Sequence, residues 1–138
     1  MRQTFSAILV CCLGGSVVAG DSAPRLNIEL NAAQSQGAAC TLSFVVQNDL
    51  AAGIAQMTYE TVLFDTAGQV IQLSLFDFGA LPQGRPRVRQ FVLDQIDCAD
   101  LGRILFNGAN TCTAPDLADG ICDSALTLST RTKIEVLG

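Results

Sequence analysis

Histidine and tryptophan are both absent from this chain of 138 residues. The lack of histidine removes the commonest general base and the commonest transition-metal ligand at once. The nucleophile patterns GxSxG and SxxK are absent as well. We therefore predict a protein that is not an enzyme and that uses no cofactor, while a hydrolase built on a pair of carboxylates stays open as an alternative.

Basic charge is also scarce. Eight Lys and Arg residues against thirteen Asp and Glu residues give a formal net charge of −5 at pH 7. An acidic surface disfavours nucleic acid and anionic membrane as partners, because both repel negative charge. The predicted partner is therefore a protein and not a nucleic acid.

The first 19 residues have the pattern of a secretory signal peptide. A short positive start precedes an apolar run over residues 5–18, and small residues end at Ala19. A membrane span is disfavoured, because the run is shorter than the roughly 20 residues that a span needs. Lipid attachment at Cys11 is disfavoured, because the residue before it is not small. The sequence predicts export to the periplasm or beyond, and a single domain over residues 20–138 with no membrane span.

Removal of the leader leaves four cysteines: Cys40, Cys98, Cys112 and Cys122. An even number in an exported chain predicts two disulfides, for which three pairings exist. We favour Cys112 with Cys122, which flank one short loop whose ends can meet cheaply, and Cys40 with Cys98. On the chain-entropy model the first bond contributes about 3 kcal/mol and the second about 4 kcal/mol. No CxxC motif or zinc-like spacing is present in this part of the chain, which disfavours redox or metal roles.

The clearest strand pattern covers residues 57–78, which we predict to form two strands joined by a turn at residues 65–68. Side chains alternate between two faces along an extended strand, so period-two patterning indicates a sheet with one solvated face. In the first strand Tyr59, Thr61 and Leu63 share one face, and Val62 and Phe64 share the other. In the return strand Val70, Gln72 and Ser74 share one face, and Ile71, Leu73 and Leu75 share the other.

Similar alternation recurs along the rest of the chain. Further strands are predicted from Leu26, from Cys40, over residues 88–93 and 103–107, and in a closing segment over residues 124–136. Turn signals separate them at short, regular spacing, and no convincing amphipathic helix is present. The predicted fold class is all-β: an immunoglobulin-like two-sheet sandwich of about seven antiparallel strands.

The chain resembles the FxLYD family of small bacterial envelope domains over roughly residues 40–92. The residues that carry the resemblance are Asn48, Val62-Leu63-Phe64-Asp65, Gly68, Leu81-Pro82-Gln83-Gly84 and Phe91. Thr61 stands where that family has its first phenylalanine. The resemblance implies an extracytoplasmic β-sandwich with a non-catalytic role, and it supplies no catalytic residues.

Arg85, Arg87 and Arg89 alternate along the chain, so their side chains are expected on one face of a strand. Guanidinium groups match carboxylate and phosphate geometry, which makes this row a predicted partner-binding site. Two other roles are open. The row could protect an exposed sheet edge from pairing with another chain, or it could face Glu60 and Asp77 across the sheet.

Asp116, Asp119 and Asp123 lie in an acidic loop over residues 113–123 and could give oxygen ligands to calcium. Solvated loop carboxylates are the alternative, because the order of acids in an EF-hand is missing. Taken together, the sequence predicts a non-catalytic exported module that docks onto an envelope protein or assembly. The alternative is a periplasmic protein that binds calcium or a small ligand through the acidic loop.

Overall fold

The computed structural model describes residues 23–138, so the predicted signal peptide, residues 1–19, lies outside the described residues. Short polar turns separate runs of alternating apolar residues, and the runs form eight strands. Their bounds are β1 Leu26–Gln36, β2 Ala39–Asn48, β3 Ile54–Asp65, β4 Val70–Leu81, β5 Arg87–Leu93, β6 Leu101–Thr113, β7 Leu126–Thr130 and β8 Glu135–Leu137. A 3-10 turn at Cys98–Asp100 precedes β6, and one helical turn, α1, covers Ile121–Ser124.

The strands form two four-stranded sheets that pack face to face. We call the sheet with order β5-β2-β1-β7 sheet A and the sheet with order β4-β3-β6-β8 sheet B. The all-β sandwich predicted from the sequence is therefore confirmed. Edge strands β4 and β5 lie beside each other on one side of the sandwich, where the rings of Phe76 and Phe91 stack with centroids 4.3 Å apart.

The number and direction of the strands differ from the prediction. The closing segment is two strands, because the chain bends after β7 and passes from sheet A to sheet B. Hydroxyl groups hold this bend: Thr130 accepts the amide hydrogen of Thr132, and Thr132 accepts that of Ile134. As a result β7 pairs with β1 and β8 pairs with β6, both in parallel, while the remaining pairs are antiparallel.

Aromatic rings fill the space between the sheets. Phe44 on β2 contacts four other rings, of Phe76, Phe78, Phe91 and Phe106, at centroid distances of up to 6.0 Å. Tilted and edge-on arrangements of this kind suit the ring quadrupoles and add to the gain from burial. Strand alternation places these rings inside and leaves the intervening residues of each strand on the outer faces.

Asn48 ends β2 as a buried polar residue with all of its amide atoms bonded. Its Nδ2 donates to the carbonyls of Leu81 at 2.9 Å and Ala52 at 3.1 Å, and its Oδ1 accepts the amide hydrogen of Leu50 at 2.9 Å. Its backbone carbonyl accepts the amide hydrogen of Gly84 at 2.7 Å. One residue thus fastens two loops at the same end of the sandwich.

Two disulfides join Cys40 to Cys98 and Cys112 to Cys122, as the sequence analysis favoured. Such bonds persist in oxidising surroundings, so they indicate an extracytoplasmic compartment. The helical turns between residues 23 and 138 are all too short to cross a bilayer.

Candidate functional site

An apolar stripe crosses the outer face of sheet B, the face that points away from the core. Leu73 on β4 lies opposite Val62 on β3, Val62 lies opposite Leu105 on β6, and Leu105 lies opposite Leu137 on β8. We call these four residues the sheet B stripe. Val62 is mostly covered by its neighbours, Leu105 and Leu137 are half-buried, and Leu73 is 62% exposed.

The apolar surface continues along β4 on the same face. Leu75 is 58% exposed and points outward with Leu73, because the two alternate along the strand. Ile71, 43% exposed, lies at the bulge where the pairing of β4 with β3 shifts. A shallow hollow of about 290 Å³ lies between Leu73, Leu75 and Glu60. Contiguous exposed apolar area of this kind is typical of interaction surfaces.

Polar groups border the stripe and are already paired. The Arg103 guanidinium lies 5.8 Å from the centre of the Phe64 ring, and its Nε donates to Glu135 at 2.8 Å. Asn107 donates to the Glu60 carboxylate at 2.6 Å. An apolar centre with a polar rim is the arrangement found at protein–protein interfaces.

The outer face of sheet A has a different character. Polar side chains occupy most of its outward positions: Asn27, Glu29, Thr41, Ser43, Gln47, Gln90, Thr127 and Ser129. Its apolar exceptions include Val88, 60% exposed, which lies opposite Val45. The contrast between the two faces makes sheet B the candidate interaction face.

The three predicted arginines lie at one end of the β4–β5 side of the sandwich. Arg89 donates from Nε to the carbonyl of Phe78 at 2.6 Å and from Nη2 to the carbonyl of Ala80 at 2.9 Å. These bonds fasten β5 of sheet A to β4 of sheet B, so Arg89 covers part of the β4 edge. Of the roles that the sequence analysis left open, protection of a sheet edge is the one that fits the contacts of Arg89. Binding of an anionic partner by Arg85 and Arg87 stays a prediction.

The arginines do not face Glu60 or Asp77, which lie on the outer face of sheet B. Asp77 instead accepts hydrogen bonds from Gln56 at 2.7 Å and from the amide of Gly79 at 2.8 Å. The cross-sheet pairing considered in the sequence analysis is therefore wrong. The sequence does not show which strands pair with each other, and the observed pairing places β5 in sheet A, not in sheet B.

The three aspartates predicted as calcium ligands lie after β6, with Asp123 in the helical turn α1. Asp116 and Asp119 are exposed, and Asp123 accepts the amide hydrogen of Ala109 at 2.9 Å. Over residues 23–138, no three acidic, histidine or cysteine side chains are grouped so that they could hold one metal ion. Calcium binding at these aspartates stays a sequence-based prediction.

Tyr59 connects the acidic loop to the core. Its ring contacts Phe78 and Phe106, and its hydroxyl donates to the carbonyl of Cys122, next to Asp123. Burial raises the pKa of Tyr59 well above its ordinary value, and the negative charge of Asp123 raises this pKa further. The neutral phenol of Tyr59 fastens the loop closed by the Cys112–Cys122 disulfide and has no contact with solvent.

Sequence reasoning missed the sheet B stripe. The alternation of Ile71, Leu73 and Leu75 was visible, but alternation alone does not say which face of a strand meets the core. The register that aligns Val62, Leu105 and Leu137 depends on strand pairing, and a single sequence contains no direct signal of that pairing.

Comparison of the sequence with protein-family models and with curated proteins finds no match in either set. Among solved structures, the fold is similar to that of IrmA from Escherichia coli, with a TM-score of 0.61 and 14% sequence identity. The match covers 76% of this chain and 91% of that one. At this identity the likeness concerns the fold alone.

Proposed function

We propose that this protein is a non-catalytic module of the cell envelope, in the periplasm or outside the cell, that docks onto another protein through the outer face of sheet B. The observation that carries the proposal is the sheet B stripe. Its four residues lie directly opposite one another across all four strands of the sheet.

Three further features support this function. The disulfides fit an oxidising compartment. Near the stripe, Arg103 and Glu135 form an ion pair and Glu60 accepts a hydrogen bond from Asn107, so these charged groups already have polar partners at the rim of the proposed interface. Coverage of the exposed leucines would contribute about 1 kcal/mol or more each, because about half of each side chain is free to be buried.

Capture of partners from an envelope extract tests the proposal. Tagged protein, expressed with its predicted leader, serves as bait beside the double variant Leu105→Gln with Leu137→Gln. The matched control is Val45→Gln with Val88→Gln, which changes a directly opposed apolar pair on the outer face of sheet A. Captured proteins are identified and quantified by mass spectrometry, and circular dichroism verifies that each bait is folded.

A specific partner should be recovered with the wild type and with the sheet A variant, and lost at least about tenfold with the sheet B variant, since each lost apolar contact reduces affinity. Equal recovery with all three baits would show that the stripe is not the docking surface. Loss with the sheet A variant alone would move the interface to the other sheet.

A further inference from the structure

The long edge of β4, to which no further strand of residues 23–138 is paired, is the feature that the proposed function leaves unexplained. Strand β4 has 12 residues and lies at the end of sheet B, whereas the edge strands β7 and β8 have 5 and 3 residues. An edge strand presents backbone N–H and C=O groups that can pair with another strand, and proteins usually keep such edges short, charged or covered.

The part of the chain that the structure describes protects only part of this edge. The side chain of Arg89 covers the carbonyls of Phe78 and Ala80. Before that point, residues 70–76 contain no charged residue, and Val70 and Leu73 are 54% and 62% exposed, respectively. The neighbouring edge strand β5 differs, because proline precedes it and arginines alternate along it.

Charge is distributed unequally between the two ends of β4. Near its start, a hollow of about 510 Å³ beside Ile71 and Gln72 is lined by four acids: Asp65, Asp94, Asp97 and Asp100. Near its end lie the arginines of β5 and of the turn before it, with Arg89 bonded to Phe78 and Ala80. The one charged residue of β4 itself, Asp77, is already bonded to Gln56 and Gly79.

We infer that β4 pairs antiparallel with β4 of a second copy of this chain. Antiparallel pairing about a two-fold axis places the acidic end of one copy beside the basic end of the other, in both directions at once. Such self-complementarity is what an isologous interface requires. Parallel pairing would instead place like charges together at both ends, which disfavours it.

The pairing extends sheet B into a continuous sheet of eight strands. Because the two-fold axis is perpendicular to that sheet, the two sheet B stripes lie on the same outer face and meet at Leu73. The edge contact alone is small, so we expect a weak, concentration-dependent dimer and not an obligate one. The inference concerns the edge of sheet B and stands whether or not a partner binds its outer face.

Sedimentation velocity over a range of concentrations tests the inference on protein expressed with its predicted leader. The edge variant is Leu73→Lys with Leu75→Lys, both at exposed positions. The control is Thr127→Lys with Ser129→Lys, which adds the same charge at exposed positions of β7 on the far side of the sandwich. We expect the dissociation constant of the dimer to rise about tenfold or more in the edge variant and to stay unchanged in the control.

Charge reversal tests the antiparallel order and does not depend on the folding of the edge variant. Arg85→Glu with Arg87→Glu should weaken the dimer, and Asp94→Arg with Asp100→Arg should weaken it as well. A chain that carries all four changes should dimerise like the wild type, since each end again meets its opposite. A mixture of the two single-end variants should form a mixed dimer about as well as the wild type, because a negative end then meets a positive end at both contacts, whereas each variant alone has two repulsive contacts.

A wild type that stays monomeric at all concentrations would overturn the inference, as would a dimer that survives the edge variant. Failure of the fourfold change to restore the dimer would overturn the antiparallel order. These results are distinct from failure of the proposed function, because partner capture is tested with Leu105 and Leu137, which lie away from the edge. A monomer that still captures its partner would refute the dimer alone.

Discussion

Replacement of Tyr59 with phenylalanine tests how the loop closed by the Cys112–Cys122 disulfide is fastened to the core. The side chain is fully buried, and its hydroxyl donates a hydrogen bond to the carbonyl of Cys122. Burial, with a smaller contribution from the charge of Asp123, raises the pKa of Tyr59 above the ordinary value of about 10. The variant removes both the hydrogen bond and the titrating group.

Two magnitudes follow from this geometry. At pH 7 the loss of the bond leaves the Cys122 carbonyl unpaired, which should lower the free energy of unfolding by about 1–2 kcal/mol. Above pH 10 the phenol ionises in the unfolded chain but keeps its proton in the folded one. The free energy of unfolding of the wild type should therefore fall by about 1.4 kcal/mol per pH unit until the folded pKa is reached. Below pH 10 this residue should contribute no pH dependence.

The chain has one tyrosine and no tryptophan, so the ultraviolet absorbance of tyrosinate reports Tyr59 alone. Denaturant unfolding at a series of alkaline pH values gives the slope of stability. Thr61→Val is the matched control, because it removes another buried hydroxyl, which donates to the carbonyl of Ser74 at 2.9 Å, and leaves the tyrosine in place. We expect Thr61→Val to keep the alkaline slope and Tyr59→Phe to lose it. A folded protein that forms tyrosinate at the ordinary pKa would refute the reasoning.

Three other predictions address packing, the β4 edge and calcium. Gly102→Ala should lower the free energy of unfolding by about 1–3 kcal/mol in denaturant melts, because a Cβ there would lie 2.6 Å from the carbonyl oxygen of Asp65; Gly53→Ala, with ordinary contacts of 3.7 Å or more, should be nearly neutral, and equal effects would contradict this account. Arg89→Met should cost about 1–3 kcal/mol through its lost charged hydrogen bonds and should increase self-association, whereas exposed Arg85→Met should change stability by less than about 0.5 kcal/mol. Calcium should leave the melting temperature unchanged in calorimetry, because no three acidic side chains of residues 23–138 are grouped to hold one ion and Asp123 already accepts a hydrogen bond from Ala109. A rise in melting temperature that disappears when Asp116, Asp119 and Asp123 are all changed to Asn would show that these aspartates bind calcium.

Local features of the fold were predictable because they depend on neighbours in the sequence. The turn after β3 is one example: Gly68 has φ of 84°, and the Asp65 carboxylate accepts the amide hydrogens of Ala67 and Gln69 at 2.9 Å. Aspartate and glycine are favoured in such turns for these reasons. The cysteine pairing was predictable for a related reason, because a short loop constrains Cys112 and Cys122 to meet.

Features that depend on pairing between distant strands were not predictable. Leu126 and Leu128 alternate in the same way as Ile134 and Val136, so one strand and two strands look alike in sequence. The difference depends on hydroxyl bonds at the bend between them. The exposed face of β4 was hidden in the same way, because apolar alternation usually marks a core face. Membership of the FxLYD family stays a prediction.

The bonds of Asn48 couple the loop after β2 to the turn between β4 and β5. Length changes or grafted peptides at one of these two positions would pull on the same amide that positions the other, so the pair must be redesigned as a unit. At Gly37, in the turn between β1 and β2, an added side chain would contact nothing within 4 Å among residues 23–138. For display of foreign epitopes on this scaffold, the β1–β2 turn is therefore the better insertion point. It lies at the opposite end of β2 from Asn48, so an insertion there leaves the hydrogen bonds of Asn48 intact.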